Sequence, residues 1–112
     1  MQLMFNVDFL EDAFEFLEKL DEKAREKIYF NIKKASLTND VKLFKKLINT
    51  EIWEFRTLYN KVQYRLFAFW DKRDNKNTLI ICTHGFIKKS QKTPKSEMKK
   101  AEGIRIDYFE NT

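Results

Sequence analysis

The chain has 112 residues, 43% hydrophobic and 35% charged, with 2 Gly and 1 Pro. That length suits one domain over residues 1–112, and the composition excludes collagen-like, low-complexity and wholly disordered classes. Net charge is +5, unevenly spread. Residues 1–40 carry six basic against nine acidic side chains, or −3, and residues 41–112 carry sixteen against eight, or +8. A basic second half suits a polyanion such as RNA or DNA, with a solvated lysine surface as the alternative.

Residues 1–6 have the composition of a short first strand. Asp8 with Glu11 has capping-box spacing. Leu10, Ala13, Phe14, Leu17 and Leu20 follow at steps of three and four, predicting a helix over 8–20. A second helix over 21–37 turns Ala24, Ile28, Ile32 and Ala35 inward, and the near-absence of a loop at Leu20-Asp21 predicts a helical hairpin. Residues 41–48 read as a short helical turn.

From residue 51 the character changes. Segments 51–58, 62–70 and 78–87 are aromatic and β-branched, and polar links at 59–61 and 71–77 turn the chain. They predict an antiparallel meander. Thr93 as N-cap and Pro94 as first helical residue open a last helix, with Met98, Ala101, Ile104 and Tyr108 inward. The fold class is α+β: a small twisted antiparallel sheet with the N-terminal hairpin on one face and a C-terminal helix. All helices are expected on one side.

Strand alternation separates Trp53, Phe55, Tyr64 and Leu66 from Glu54, Arg56 and Arg65. If the first set meets the helices, both arginines stand on the open face, and truncating Arg65 opens no core cavity. They either form a surface ion pair with Glu54 or hold an RNA phosphate. His84, the single histidine, is either a hydrogen-bonded strand-end residue or a general acid or base. Counting by twos groups it with Ile80 and Cys82. Residues 86–100 hold Lys88, Lys89, Lys92, Lys95, Lys99 and Lys100 against Glu97 alone, around a helix start that attracts phosphate. For Lys95, Lys99 and Lys100 a solvated helix surface is the alternative.

No P-loop, GxGxxG, HExxH, CxxC or nucleophile elbow occurs. One His and one Cys make no metal set, and neither metal nor cofactor is expected. Lone Cys82 asks for no oxidising compartment, no membrane span is present, and the first ten residues lack a basic leader, so a cytoplasmic location is expected. The Arg, Lys and His inventory fits metal-independent RNA cleavage, in which the ribose supplies its own nucleophile.

The segments EIWEFR, VQYRLFAFW and LIICTHGFIKKSQKTPKSEMKKAEGI together resemble the HigB-like toxins of the RelE/ParE superfamily. Those proteins show W-E-L-R, then Y-R, then H-G-F-x-K-K-x-x-K-T-P. The likeness covers about residues 51–105, with Glu51 where the pattern has Gly. It implies a toxin of a type II toxin–antitoxin system, a metal-independent endoribonuclease that cuts mRNA in the ribosomal A site. Its partners would be a helix-turn-helix antitoxin and the ribosome. Carried over by motif, Arg56, Arg65, His84, Lys88 and Lys89 are catalytic candidates, and Lys92 joins Lys95, Lys45 and Lys46 as phosphate contacts. The alternatives are a ParE-like toxin that binds DNA gyrase and a non-catalytic RNA-binding module.

Overall fold

The structure is a computed structural model that describes residues 5–73 and 79–112. The elements run β1 (Asn6–Phe9), α1 (Glu11–Glu18), α2 (Glu22–Leu37), β2 (Phe44–Lys46), β3 (Trp53–Tyr59), β4 (Val62–Asp71), β5 (Leu79–Lys88) and α3 (Lys95–Asn111). The five strands form one sheet in the order β1-β5-β4-β3-β2. The meander of β3, β4 and β5 is antiparallel, as expected. The sheet as a whole is mixed, because β1 joins β5 in parallel.

Both edge strands depart from the sequence reading. Asp8 does not cap a helix: it lies in β1, opposite Ile81, and α1 begins at Glu11 after Leu10, without a side-chain cap. The parallel ladder claims the backbone through Phe9, and the Leu10 N–H continues it to the Cys82 carbonyl at 3.1 Å. Of the strand expected over 1–6, residues 1–4 lie outside the described residues. Residues 44–46 are a strand, where helical spacing had suggested a turn of helix. Asp40 starts a tight turn by accepting the Lys42 N–H at 2.9 Å. Phe44 then stacks on Phe55 and Trp53, with ring centroids 4.2 and 4.8 Å away. Cross-strand aromatic contact outweighs the weak local periodicity.

One face of the sheet meets α1 and α2. Ala13 and Leu17 of α1 and Ile28, Ile32 and Ala35 of α2 pack on Phe55, Leu66, Ala68, Ile80 and Cys82. Asp21 caps α2 through the Ala24 N–H at 3.4 Å. Asn31 donates to Thr57 Oγ1 at 3.1 Å, a buried bond that ties α2 to β3. Gly85 faces α1, where a Cβ would lie 2.2 Å from the Phe16 ring, so the close approach requires glycine.

The third helix is not on that side. α3 lies on the opposite face, where Ala101 and Met98 cover Phe67 and Ile52. Tyr108 and Phe109 pack edgewise and tilted on Phe69 at 5.2 and 5.3 Å. The helix begins at Lys95 with Pro94 as its N-cap residue, one position later than expected. Phe67 and Phe69 on this face need an apolar cover, and α3 supplies it. Its cover stops short of the β3–β4 turn, which sets where the site can be.

Candidate functional site

β3 and β4 are joined by Asn60 and Lys61, both at positive φ (50° and 65°), the backbone of a two-residue hairpin turn. That register places Arg56 directly opposite Arg65, on the face away from α1 and α2. Two guanidiniums so placed repel one another, and Glu54, buried on the same face, answers both. Its Oε1 lies 3.3 Å from Arg56 Nε and its Oε2 lies 3.6 Å from Arg65 Nε. The ion pair considered from sequence therefore exists, but one carboxylate serves two guanidiniums.

The two arginines are not equivalent. Arg56 keeps 35% of its side chain exposed, Arg65 only 5%. The expectation that both stand open is corrected: Arg65 is buried at the floor. Its guanidinium donates to the Tyr64 carbonyl at 3.1 Å and to Gln63 Oε1 at 2.7 Å. Arg65 Nε and Glu54 Oε2 are buried without a hydrogen bond of their own. Burial, and then the neighbouring Arg56, lower the Arg65 pKa, while Glu54 raises it.

Above this group opens a cleft of about 700 Å³ between the β3–β4 turn and the end of β5. Arg56, Lys61, Arg65, Lys88 and Lys89 line it, together with Gln63, Ser90 and Gln91. Among the described residues no carboxylate lines it. Among the described residues, Lys61, Lys88 and Lys89 have no ion-pair partner. Such a concave surface suits a phosphodiester: guanidiniums to grip oxygens, ammonium groups to add field, amides to orient. Lys61, Gln63, Ser90 and Gln91 did not emerge from sequence as site residues. Only the hairpin turn hinted at Lys61, since it falls where the two strands reverse.

His84 is not in this cleft. The β4–β5 register slips at Thr83: Phe67 pairs with His84, yet the next residue, Ala68, pairs with Cys82. Counting by twos fails across that slip, and His84 turns to the α3 face. It is 2% exposed. Its Nε2 lies 3.2 Å from Glu97 Oε1, its Nδ1 lies 3.1 Å from Thr83 Oγ1, and its ring stacks on Phe86 at 6.1 Å. Burial lowers its pKa below the usual 6.5, Glu97 opposing and Lys100 adding to the effect. His84 is thus a hydrogen-bonded histidine, but not at a strand end as expected: β5 continues past it to Lys88.

The remaining candidates scatter. Lys92 and Lys95 are exposed, in the loop after β5 and at the start of α3, and neither lines the cleft. Lys45 and Lys46 are exposed on the edge strand β2; Lys46 borders a separate pocket at the other end of the sheet.

Solved structures with this architecture include the free E. coli toxin RelE in a doubly substituted form. It is 19% identical, and the match covers 94% of this chain and 99% of that one with a TM-score of 0.61. A chain of the intact E. coli RelBE toxin–antitoxin complex is 18% identical, with 79% and 99% coverage and a TM-score of 0.55. At such identity the likeness establishes a RelE-like fold. No curated protein matches the chain. Residues 15–105, most of the sequence and the whole of the cleft, match the family described as phage derived protein Gp49-like, and the chain belongs to that family.

Proposed function

We propose that this protein is the toxin of a type II toxin–antitoxin pair and cleaves mRNA on the ribosome, at the cleft between the β3–β4 turn and β5. The observation that carries the reading is the convergence of Arg56, Lys61, Arg65, Lys88 and Lys89 on one cleft without a lining carboxylate. The RelE-like fold supports it, since RelE is a toxin found with an antitoxin. The narrower HigB assignment rests on the HGFIKKSQKTP block with WEFR and YR before it.

In the proposed reaction the ribose 2′-oxygen attacks the adjacent phosphorus. A P–O2′ bond forms and the P–O5′ bond breaks, leaving a 2′,3′-cyclic phosphate and a 5′-hydroxyl. The 2′-hydroxyl loses a proton and the 5′-oxygen gains one. Arg56, half-exposed and aimed by Glu54, holds the phosphate and the charge that builds on it. Lys88 or Lys89 donates toward the leaving oxygen. With His84 buried under α3, the cleft lining holds neither imidazole nor carboxylate to take the first proton. In this reading solvent water takes the first proton, the ribosome with its A-site mRNA supplies the alignment, and the antitoxin silences the toxin.

Mapping new 5′ ends on an mRNA in a translating extract tests the proposal. Purified protein should cut within the translated frame, and the same RNA without ribosomes should be cut at least ~100-fold more slowly. Intact mRNA with folded protein, or equal cleavage of naked RNA, overturns it. Inhibition of gyrase supercoiling with mRNA intact would favour the gyrase-binding alternative.

A further inference from the structure

We propose a second nucleic-acid site, for an unpaired RNA segment, at the end of the sheet away from the cleft. There a pocket of about 390 Å³ is lined by Trp53, Trp70 and Phe109, with Lys46, Lys72, Arg73 and Arg105 around them and Glu51 as its one carboxylate among the described residues. Its size falls in the ~300–1,000 Å³ range of ligand sites.

The aromatic wall is built rigidly. Trp53 stacks on Phe44 at 4.8 Å and meets Trp70 edge-on at 6.1 Å, and Trp70 in turn meets Phe5 edge-on at 5.6 Å. Arg73 is fixed by Asp71 at 2.8 Å and lies 4.9 Å from the Phe109 centroid, with Arg105 at 5.4 Å from the same ring. Lys72 Nζ sits 5.8 Å from the Trp70 centroid. Arg73 and Arg105 are partly answered by Asp71 and Glu102, but among the described residues Lys46 and Lys72 have no ion-pair partner. Fixed aromatic surface ringed by cations is the chemistry that takes an unstacked base and its flanking phosphates with little regard to sequence. An acidic peptide would use the cations but gain nothing from the aromatic surface that an unstacked base can cover.

The pocket does not belong to the cleft. Eight steps along β4, from Val62 in the cleft to Trp70, span roughly 26 Å at about 3.3 Å each. Its occupancy can be read without any cleavage, because Trp53 and Trp70 are the chain's two tryptophans.

The test is a titration of the full chain with a short oligouridylate at low salt, followed by tryptophan fluorescence. Saturable quenching is expected, weakening steeply with added salt. Exposed Lys46 and Lys72 can be changed without touching the core. Lys46→Glu/Lys72→Glu should weaken binding on the order of tenfold or more. Lys88→Ala/Lys89→Ala, at the other end, should change the quenching curve less than about threefold. No quenching, or loss in the cleft variant alone, overturns the second site. Equal quenching by polyglutamate or by an abasic ribose-phosphate oligomer overturns the base-stacking assignment.

Discussion

Two halves of one sheet face carry different chemistry on the same strands. Along β4, Phe67 and Phe69 lie beneath α3, while Gln63 and Arg65 border an open cleft. Along β5, His84 falls in the covered half and Lys88 in the open half. Alternation along β4, and along β5 beyond the slip at Thr83, assigns all of them to one face and stops there. What distinguishes them is where the cover of α3 begins, at its first turn beside His84. A polar residue under the helix must satisfy itself locally, as His84 does with Glu97 and Thr83. Polar residues beyond it remain available to a ligand. Arg65 sits on the boundary, buried by its neighbours and yet lining the cleft.

That boundary can be broken by substitution. The largest expected effect is at Arg65. Arg65→Ala leaves buried Glu54 with only half-exposed Arg56, and should cost about 3–5 kcal/mol in urea denaturation. Glu54→Gln/Arg65→Met should recover most of that. A single-variant cost under about 1 kcal/mol would place Arg65 with the surface cations instead. Next comes the opposite face: Gly85→Ala drives a methyl into Phe16 and should cost about 1–3 kcal/mol. If stability were unchanged, α1 would not approach β5 as closely as described.

A smaller effect is expected from pH. The folded-state pKa of His84 is lowered, so the unfolded chain binds its proton more readily. The stability from neutral, buried His84 is complete above about 6.5 and is lost as pH falls from there through the lowered value. His84→Gln should flatten that limb of a denaturation–pH profile, and an unchanged limb would assign the titration elsewhere. Asp71, held well below the usual carboxylate range by Arg73 and Tyr108, acts at far lower pH and will not obscure it. The smallest effect is at the turn. Lys61→Gly relieves a lysine at φ 65° and should gain about 1 kcal/mol while weakening RNA binding. A loss of stability would show that the lysine is unstrained there.

The meander was legible because β3, β4 and β5 are long, aromatic-rich and separated by polar turns, and α2 was legible from the spacing of Ala24, Ile28, Ile32 and Ala35. The face of Arg56 and Arg65 was legible for the same reason: β3 and β4 pair without a slip from Trp53 to Tyr59. β1 and β2 were not, because four and three residues leave too little period to read, and long-range pairing decides them. The direction of His84 was hidden by the register slip at Thr83, whose hydroxyl donates to the Phe67 carbonyl at 3.3 Å in a way no spacing announces. The side taken by α3 was hidden because its apolar residues are equally compatible with either face. Lys61 looked like turn chemistry, and only the fold shows that the turn borders the cleft.

The most direct test of the open-half account sets Arg56→Ala beside His84→Gln in the translating extract at neutral pH, with Lys95→Ala as the surface control. Arg56→Ala should stay folded and lose ~10²–10³ in cleavage rate, the usual consequence of removing one transition-state contact. His84→Gln and Lys95→Ala should cut within about threefold of the unsubstituted protein. A folded His84→Gln that no longer cuts, beside an Arg56→Ala that still does, would contradict the account and move the active centre beneath α3.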